Sequence, residues 1–408
     1  MLSTLLSISY LLAGYTSLFI GNSLLTTLVA LRAQEAGFAI VWIGFINGAY
    51  FLGLYIGAKY TDVLASSVGH GRSYAVYASL GAVCALLHPL AEFASVWMVI
   101  RFGTGFCIAG LITITESWLN SRATRTTRGQ IMSMYMITHY TSAGFGQLFI
   151  PFANVNDFHL FSVAAIAYSL SLVPVLVTRL VAPPIKPREK FRFREVYRYS
   201  PTGIVAAFVC GLVGSALYGL APLYTRGVGL STTTTALFMA VVIFSGVLLQ
   251  WPVGKLSDRM DRRKLMIALS VISAMSSFVV ILTSSYHLAV FLCAAALFGS
   301  FTFTVYPVAL AYINDSVPEG KLLYAAAGML AAFSAGAIFG PVISTSAMGI
   351  FGYSALFVYI AGVYILFALL LLWRMRVNPV APEKKKYRRY FRASGSSKNT
   401  SQNESHKH

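Results

Sequence analysis

Apolar residues in this chain neither alternate nor mark one helical stripe. They run on for about 20 residues at a time, separated by short polar or glycine-rich intervals, which is the length of a helix crossing a bilayer core of roughly 30 Å. Strands of a membrane barrel would instead alternate apolar and polar over about ten residues. The pattern predicts twelve helices. In the first half they are Leu5–Leu31, Ala39–Tyr60, Ser73–Leu90, Ser95–Leu119, Gly129–Ile150 and Leu160–Leu180. In the second they are Thr202–Thr225, Thr232–Val253, Leu265–Ser284, Leu288–Ile313, Leu322–Ala347 and Tyr353–Trp373. The expected fold is an all-α membrane protein of two six-helix bundles, 1–180 and 202–373, related by a pseudo-two-fold axis.

Composition excludes the alternative of a water-soluble core. Only 11% of residues are charged, and the mean hydropathy is +0.70. A soluble surface needs roughly 25% charged residues. The four cysteines, Cys84, Cys107, Cys210 and Cys293, fall inside apolar runs without CxxC spacing, so neither a disulfide nor a metal site is expected. Residues Met1–Arg32 lack the basic start of a signal peptide and read as the first membrane helix.

The net charge of +18 sharpens the topology. With the N-terminus placed in the cytoplasm, all of the 31 Lys and Arg residues except Arg32, Arg101 and Arg226 fall on the cytoplasmic side. The charge is therefore read as topological, not as a nucleic-acid surface. Residues 181–201, with Pro183, Pro184 and Pro187 among basic residues, read as a cytoplasmic linker. Residues 374–408 read as a basic, disordered cytoplasmic tail. Its segment 384–392 is either a site for anionic lipid or a retention signal for topology. The location expected is a bacterial cytoplasmic (inner) membrane, with both termini inside.

The halves repeat at a displacement of about 195 residues, a parallel repeat of the kind secondary transporters use. Asp258 answers to Asp62, and Tyr312-Ile-Asn314 answers to Trp118-Leu-Asn120. The string Gly254-Lys-Leu-Ser-Asp258-Arg259-Met-Asp-Arg262-Arg263, placed between helices 8 and 9, resembles the signature loop of the major facilitator superfamily, G-x-x-x-D-R-x-G-R-R. Asp261 stands where that pattern has its second Gly. The first-half copy has Ala58 for the first Gly and Val63 for the Arg after Asp62. The stretch Arg101–Phe149, with Glu116-Ser-Trp118-Leu-Asn120, Thr127-Arg128-Gly129-Gln130, Tyr135-Met136 and Gly146-Gln147, resembles the YcaD-type bacterial branch, in which Asn is common in the place of His139. The resemblance implies a transporter whose cavity is lined mainly by helices 1, 4, 7 and 10. It also implies that the signature loop, with Asp315 beside it, latches the two halves in the outward-open state.

Ionised groups are expensive inside a bilayer, so they lead the search for mechanism. Arg101 and Glu116 lie on helix 4, about 22 Å apart at 1.5 Å per residue. Arg101 with Gly105 resembles the superfamily's R-x-x-x-G pattern, whose Arg is linked to proton coupling; the alternative is an Arg that snorkels to the interface. Glu116 either carries a proton or pairs with Arg122, Arg125 or Arg128. His139 on helix 5 has a side chain whose charge can change near neutral pH, or it is a satisfied neutral hydrogen-bonding group. Asn22, Asn47 and Gln147 either line the cavity or join helices. Tyr15, Tyr218 and Tyr224 are candidate cavity aromatics. On helix 11, Gly336-x-x-x-Gly340-Pro341 predicts small-residue packing and a helix break.

No HExxH, GxSxG or nucleotide-binding glycine loop is present, so neither an enzyme nor a directly ATP-driven pump is expected, and no cofactor. The reading is a monomeric secondary active transporter of a small organic solute, with protons as a candidate coupling ion and membrane lipid as its solvent. A membrane sensor or scaffold that kept the fold is the alternative.

Overall fold

The computed structural model describes residues 2–123, 127–177, 193–318 and 322–379. The tail beyond Pro379, most of the linker, and Arg125 lie outside the described residues. The first half comprises α1 (Leu2–Glu35), α2 (Ile40–Val68), α3 (His70–Leu87), α4 (Ala94–Arg122), α5 (Arg128–Gln147), α6 (His159–Leu170) and α7 (Leu172–Val177). A short helix, α8 (Phe193–Tyr199), precedes the second half. That half comprises α9 (Pro201–Gly227), α10 (Thr232–Leu248), α11 (Gln250–Arg259), α12 (Arg262–Thr283), α13 (Leu288–Thr302), α14 (Val305–Ser316), α15 (Leu322–Phe351) and α16 (Ala355–Val377).

Three predicted helices are each divided in two, and one device recurs at all three breaks. Pro174, Pro252 and Pro307 are the third residues of α7, α11 and α14. A proline has no N–H to donate, and the first turn of a helix is where that loss costs least. At two of the breaks a hydroxyl closes the preceding segment: Ser171 Oγ donates to the Tyr168 carbonyl at 2.6 Å, and Thr304 Oγ1 to that of Phe301 at 2.7 Å. Pro341, where a break was expected, lies inside the unbroken α15.

Counted as continuous passages, with α6–α7, α10–α11 and α13–α14 one each, the described residues form twelve membrane-length passages. Eleven of these passages are long and apolar enough to span by composition alone. The twelfth is α5, 20 residues long, which reaches roughly 30 Å at 1.5 Å per residue. It carries Thr138, His139, Thr141, Ser142 and Gln147, and it is sheltered between α1 and α10. Outward-facing Val99, Leu282 and Leu366 are exposed in the bare chain, as a lipid-solvated surface requires.

Within the first half α2 packs on α4, and α1 on α5 and α6; within the second α9 packs on α15, α10 on α13 and α12 on α16. The halves meet where α2 lies on α15, α5 on α10 and α1 on α9. Glycines permit the closest approaches. A Cβ on Gly105 would sit 1.9 Å from the Tyr50 carbonyl oxygen, and Cβ atoms on Gly336 and Gly340 would meet the carbonyl oxygens of Phe208 and Leu212 at 2.1 and 2.3 Å. The second pair bears out the packing half of the Gly336–Gly340 expectation.

Candidate solute cavity and signature loop

Between the halves lies a cavity of about 360 Å³, within the range of roughly 300–1,000 Å³ typical of small-molecule sites. The first half contributes Asn22, Tyr50, His139 and Gln147, and the second contributes Tyr218 and Tyr306, among others. The walls are mostly apolar and aromatic, with hydroxyls and amides between the rings. Among the described residues, no Asp, Glu, Lys or Arg is part of the lining. At one end, contacts between the halves close the bundle. Arg226 of α9 pairs with Glu35 of α1 at 3.1 Å, and Gln34 donates to the Tyr353 hydroxyl at 3.5 Å.

Two of the predicted polar groups serve both roles proposed for them. Gln147 lines the cavity while bonding α5 to α1: its Nε2 donates to Ser23 Oγ at 2.5 Å, and its Oε1 accepts from Thr27 Oγ1 at 2.7 Å. Asn22 lines it too, donating to the Tyr50 hydroxyl at 3.2 Å and accepting from Tyr168 at 3.3 Å. Asn47 instead packs against Gly219 across the interface between the halves, with its amide donating to the Ile43 carbonyl at 2.9 Å. It does not line the cavity. Tyr218 lines the cavity against Phe303, whereas Tyr224 is buried away from it, donating to the Val280 carbonyl at 3.4 Å and packing on Phe357.

Arg101 has no exposed surface, so it does not snorkel. Its guanidinium lies 4.4 Å over the Tyr50 ring, and Nη2 reaches Thr26 Oγ1 at 3.5 Å; both of those residues line the cavity. Among the described residues, Nε and Nη1 have no hydrogen-bond partner. This buried cation stands directly behind the cavity wall without a carboxylate bonded to it.

His139 also lines the cavity, and its Nδ1 lies 3.0 Å from the Tyr15 hydroxyl. Tyr15 donates to the Tyr135 hydroxyl at 3.0 Å, and Tyr135 donates to Glu116 Oε1 at 3.0 Å. Tyr15 and Glu116 themselves do not line the cavity. The structure thus links three of the sequence candidates through a residue, Tyr135, that was noted only as part of a resemblance. Spacing held the signal: Tyr15 and Phe19 on α1, and Tyr135 and His139 on α5, are i,i+4 pairs that share a helix face.

The signature string is not a loop. Gly254–Arg259 is helical, in α11, and only Met260 and Asp261 separate it from α12. The break before Pro252 starts a new helix that absorbs the string. Among the described residues, three ion pairs of the string lie within the second half. Arg262 joins Asp315 of α14 at 2.7 Å, both nearly buried, and donates to Ser257 Oγ at 2.6 Å. Asp258 lies 3.7 Å from Arg262 with its side chain 76% exposed. The Asp315 side of the expected latch therefore binds Arg262, within the same half. Asp261, the departure from the family pattern, caps α12 by accepting from the Arg263 N–H at 2.9 Å. It also pairs with the Arg263 guanidinium, which donates to the carbonyls of Asn378 and Pro379 and so ties down the end of α16. Burial raises the Asp261 carboxyl, but the hydrogen bonds and charge of Arg263 outweigh it and hold the group below its ordinary range. In the first half, Asp62 lies on α2 near His70 and Tyr77.

The sequence model of the Major Facilitator Superfamily matches residues 11–320 and 203–400. The chain belongs to this superfamily. Within it the chain is of the YcaD type. It is 30% identical over 381 residues to the MFS-type transporter YcaD of Salmonella arizonae, covering 92% of this chain and 98% of that one. The corresponding protein of Salmonella typhi is 30% identical over 378 residues, covering 91% and 97%. Among solved structures, a mutant of the nucleoside transporter NupG superposes with a TM-score of 0.74 at 11% identity, covering 90% of this chain and 98% of that one. A bacterial homologue of the lysosomal transporter Spinster gives 0.73 at 16%, covering 91% and 96%. A D-xylose-proton symporter gives 0.64 at 18%, covering 89% and 95%. These likenesses establish the fold, and membership of the superfamily makes this chain a multi-pass membrane transporter of a bacterial family.

Proposed function

We propose that this superfamily member is a proton-coupled secondary transporter. It moves a small organic solute across the bacterial inner membrane by alternating access, with His139 as the group that titrates. The cavity between the halves carries this reading, because it is large enough for a metabolite and offers rings, hydroxyls and amides but no ionised wall. Arg101, one layer behind Tyr50 and Thr26, adds a positive field that favours a solute bearing an acidic group.

The positive-inside asymmetry supports an N-terminus in the cytoplasm. The end closed by Arg226–Glu35 and Gln34–Tyr353 then faces outward. Reporter fusions at Lys190 and Ser397 are both expected to score as cytoplasmic. A periplasmic score at either point overturns the orientation.

A screen of melting temperature against a metabolite library identifies candidate solutes, since a ligand at 100 times its Kd stabilises by about 2.7 kcal/mol. Each hit is then tested in proteoliposomes. Solute uptake above that of empty liposomes is expected, driven by a pH gradient. His139→Asn is expected to lose pH-driven accumulation while keeping solute counterflow, because exchange needs no net proton movement. If no hit moves faster than through empty liposomes, the transport reading fails for those solutes. An unchanged pH profile in His139→Asn removes His139 from the coupling.

A further inference from the structure

The coupling reading leaves open where a proton taken up by His139 goes. We propose that His139, Tyr15, Tyr135 and Glu116 form a proton wire from the solute cavity to the far end of α4, with Glu116 as the second proton carrier. The inference rests on His139 as the titrating group and adds the route and its terminus.

Three helices build the wire: α1 supplies Tyr15, α5 supplies Tyr135 and His139, and α4 supplies Glu116. Its three links are each 3.0 Å, short enough for hydrogen bonds throughout. Tyr15 and Tyr135 are 1% and 3% exposed, so water does not compete along the middle. The two ends are only partly buried, and His139 opens on the cavity. Phe19 packs on both Tyr15 and His139, at 4.5 and 4.3 Å between centroids, and holds the His139–Tyr15 link in register.

The hydrogens can be assigned one by one. Each tyrosine has a single O–H. Tyr135 gives its hydrogen to Glu116, and Tyr15 gives its hydrogen to Tyr135. Tyr15 therefore has none left for His139, and the His139 nitrogen must donate. The wire at rest is thus Nδ1–H of His139 to Tyr15, Tyr15 to Tyr135, and Tyr135 to an ionised Glu116. A proton arriving from the cavity adds to Nε2 and makes an imidazolium. Three O–H or N–H bonds then exchange in concert. The Nδ1 proton passes to Tyr15, the Tyr15 proton to Tyr135, and the Tyr135 proton to Glu116. The products are a neutral imidazole with its hydrogen on Nε2, two neutral phenols and a carboxylic acid. One positive and one negative charge cancel, and neither tyrosine is ionised as an intermediate. That matters because an unpaired buried charge is costly.

Among the described residues, the neighbours leave this balance to the wire itself. Tyr50 and Tyr74 lie in the surroundings of Tyr15, Tyr140 lies beside His139, and Tyr306 of α14 lies in the surroundings of Glu116. All of these are phenols. Among the described residues no charged group acts on His139. A consequence is that the state of Glu116 fixes the tautomer of His139, through two intervening side chains. Ionised Glu116 goes with hydrogen on Nδ1, and protonated Glu116 goes with hydrogen on Nε2.

The test uses the full chain in lipid nanodiscs with 15N-labelled histidine. The His139 signals are assigned by their loss in His139→Asn, and the carboxylic-acid band of Glu116 in the infrared by its loss in Glu116→Gln. Across a pH titration the wild type is expected to show the His139 Nδ1 signal and the Glu116 band changing with one midpoint. Tyr135→Phe keeps the ring but removes the link, and should separate the two midpoints by about one pH unit or more. Tyr15→Phe cuts the wire at a second place and should do the same. A His139 tautomer that is indifferent to Glu116 in the wild type overturns the proposal, as does a common midpoint that survives both substitutions. No solute enters this measurement, so its failure is distinct from failure of the transport reading, which the flux assay decides.

Discussion

Gly105→Val is expected to abolish monodisperse folded protein, or to lower its apparent melting temperature by about 5–10 °C, on a cost of roughly 3 kcal/mol or more. Even the first added carbon meets backbone. It would lie 1.9 Å from the Tyr50 carbonyl oxygen, 2.8 Å from the carbonyl carbon and 3.0 Å from the Leu54 nitrogen. None of these atoms can rotate aside, so α2 and α4 must separate. Their seam cannot give locally, because Cβ atoms on Gly53 and Gly57 of α2 would likewise meet the Phe102 and Phe106 carbonyl oxygens of α4, at 2.0 and 2.5 Å. Tyr50 lines the cavity and covers Arg101, so a variant that still folds should also transport poorly. Gly362→Ala is the matched control. No neighbouring atom lies within 4 Å of the carbon it would add. There the ordinary gain of about 0.5–1 kcal/mol for replacing a helical glycine should appear as an unchanged or slightly raised melting temperature. Equal elution profiles and melting temperatures for Gly105→Val and wild type would show that the helices do not meet at this point.

Gly105 was legible in the sequence as part of an R-x-x-x-G pattern, but its physical reason was not. Long apolar runs decide how many helices there are, because only helices satisfy the backbone in lipid. They do not say which face of each helix meets which neighbour. The same limit governs the cavity. Polar groups in apolar runs are rare, and Asn22, His139 and Gln147 were found on that ground. Tyr50, Phe303, Tyr306 and Tyr364 were not, because among 28 Phe and 23 Tyr no single ring stands out until packing turns it inward. Prolines show where local reading stops. Pro174, Pro252 and Pro307 divide their helices, while Pro222 and Pro341 lie inside unbroken ones. The polar α5 shows the reverse case: Gly129–Ile150 reads as a helix like the others, yet it is tolerated in the membrane because α1 and α10 shelter it.

Arg101→Met is expected to raise the melting temperature while removing transport. The guanidinium is fully buried, two of its three nitrogens have no partner, and the third makes only a long contact of 3.5 Å to Thr26. What favours it is the Tyr50 ring at 4.4 Å, a cation–π contact worth about 0.5–2 kcal/mol. Against that stands the desolvation of a cation, several kcal/mol even after relaxation. Met fills a similar length with apolar atoms and leaves no counter-charge stranded, because no carboxylate is bonded to Arg101. On the scale seen when buried charges give way to apolar groups, the gain is about 1–4 kcal/mol. A buried cation that costs stability is explained by a use, and its place behind Tyr50 and Thr26 points to the solute. Arg101→Lys separates charge from shape. It keeps the cation but loses the planar fork that lies flat on the Tyr50 ring, so partial transport and an intermediate melting temperature are expected. The measurement is a thermal melt in detergent paired with proteoliposome flux of a solute identified by the stability screen. If Arg101→Met melts several degrees lower than wild type, the guanidinium is holding the fold and its stability argument is lost. If the melt rises and flux is untouched, the positive field behind the cavity has no part in moving the solute.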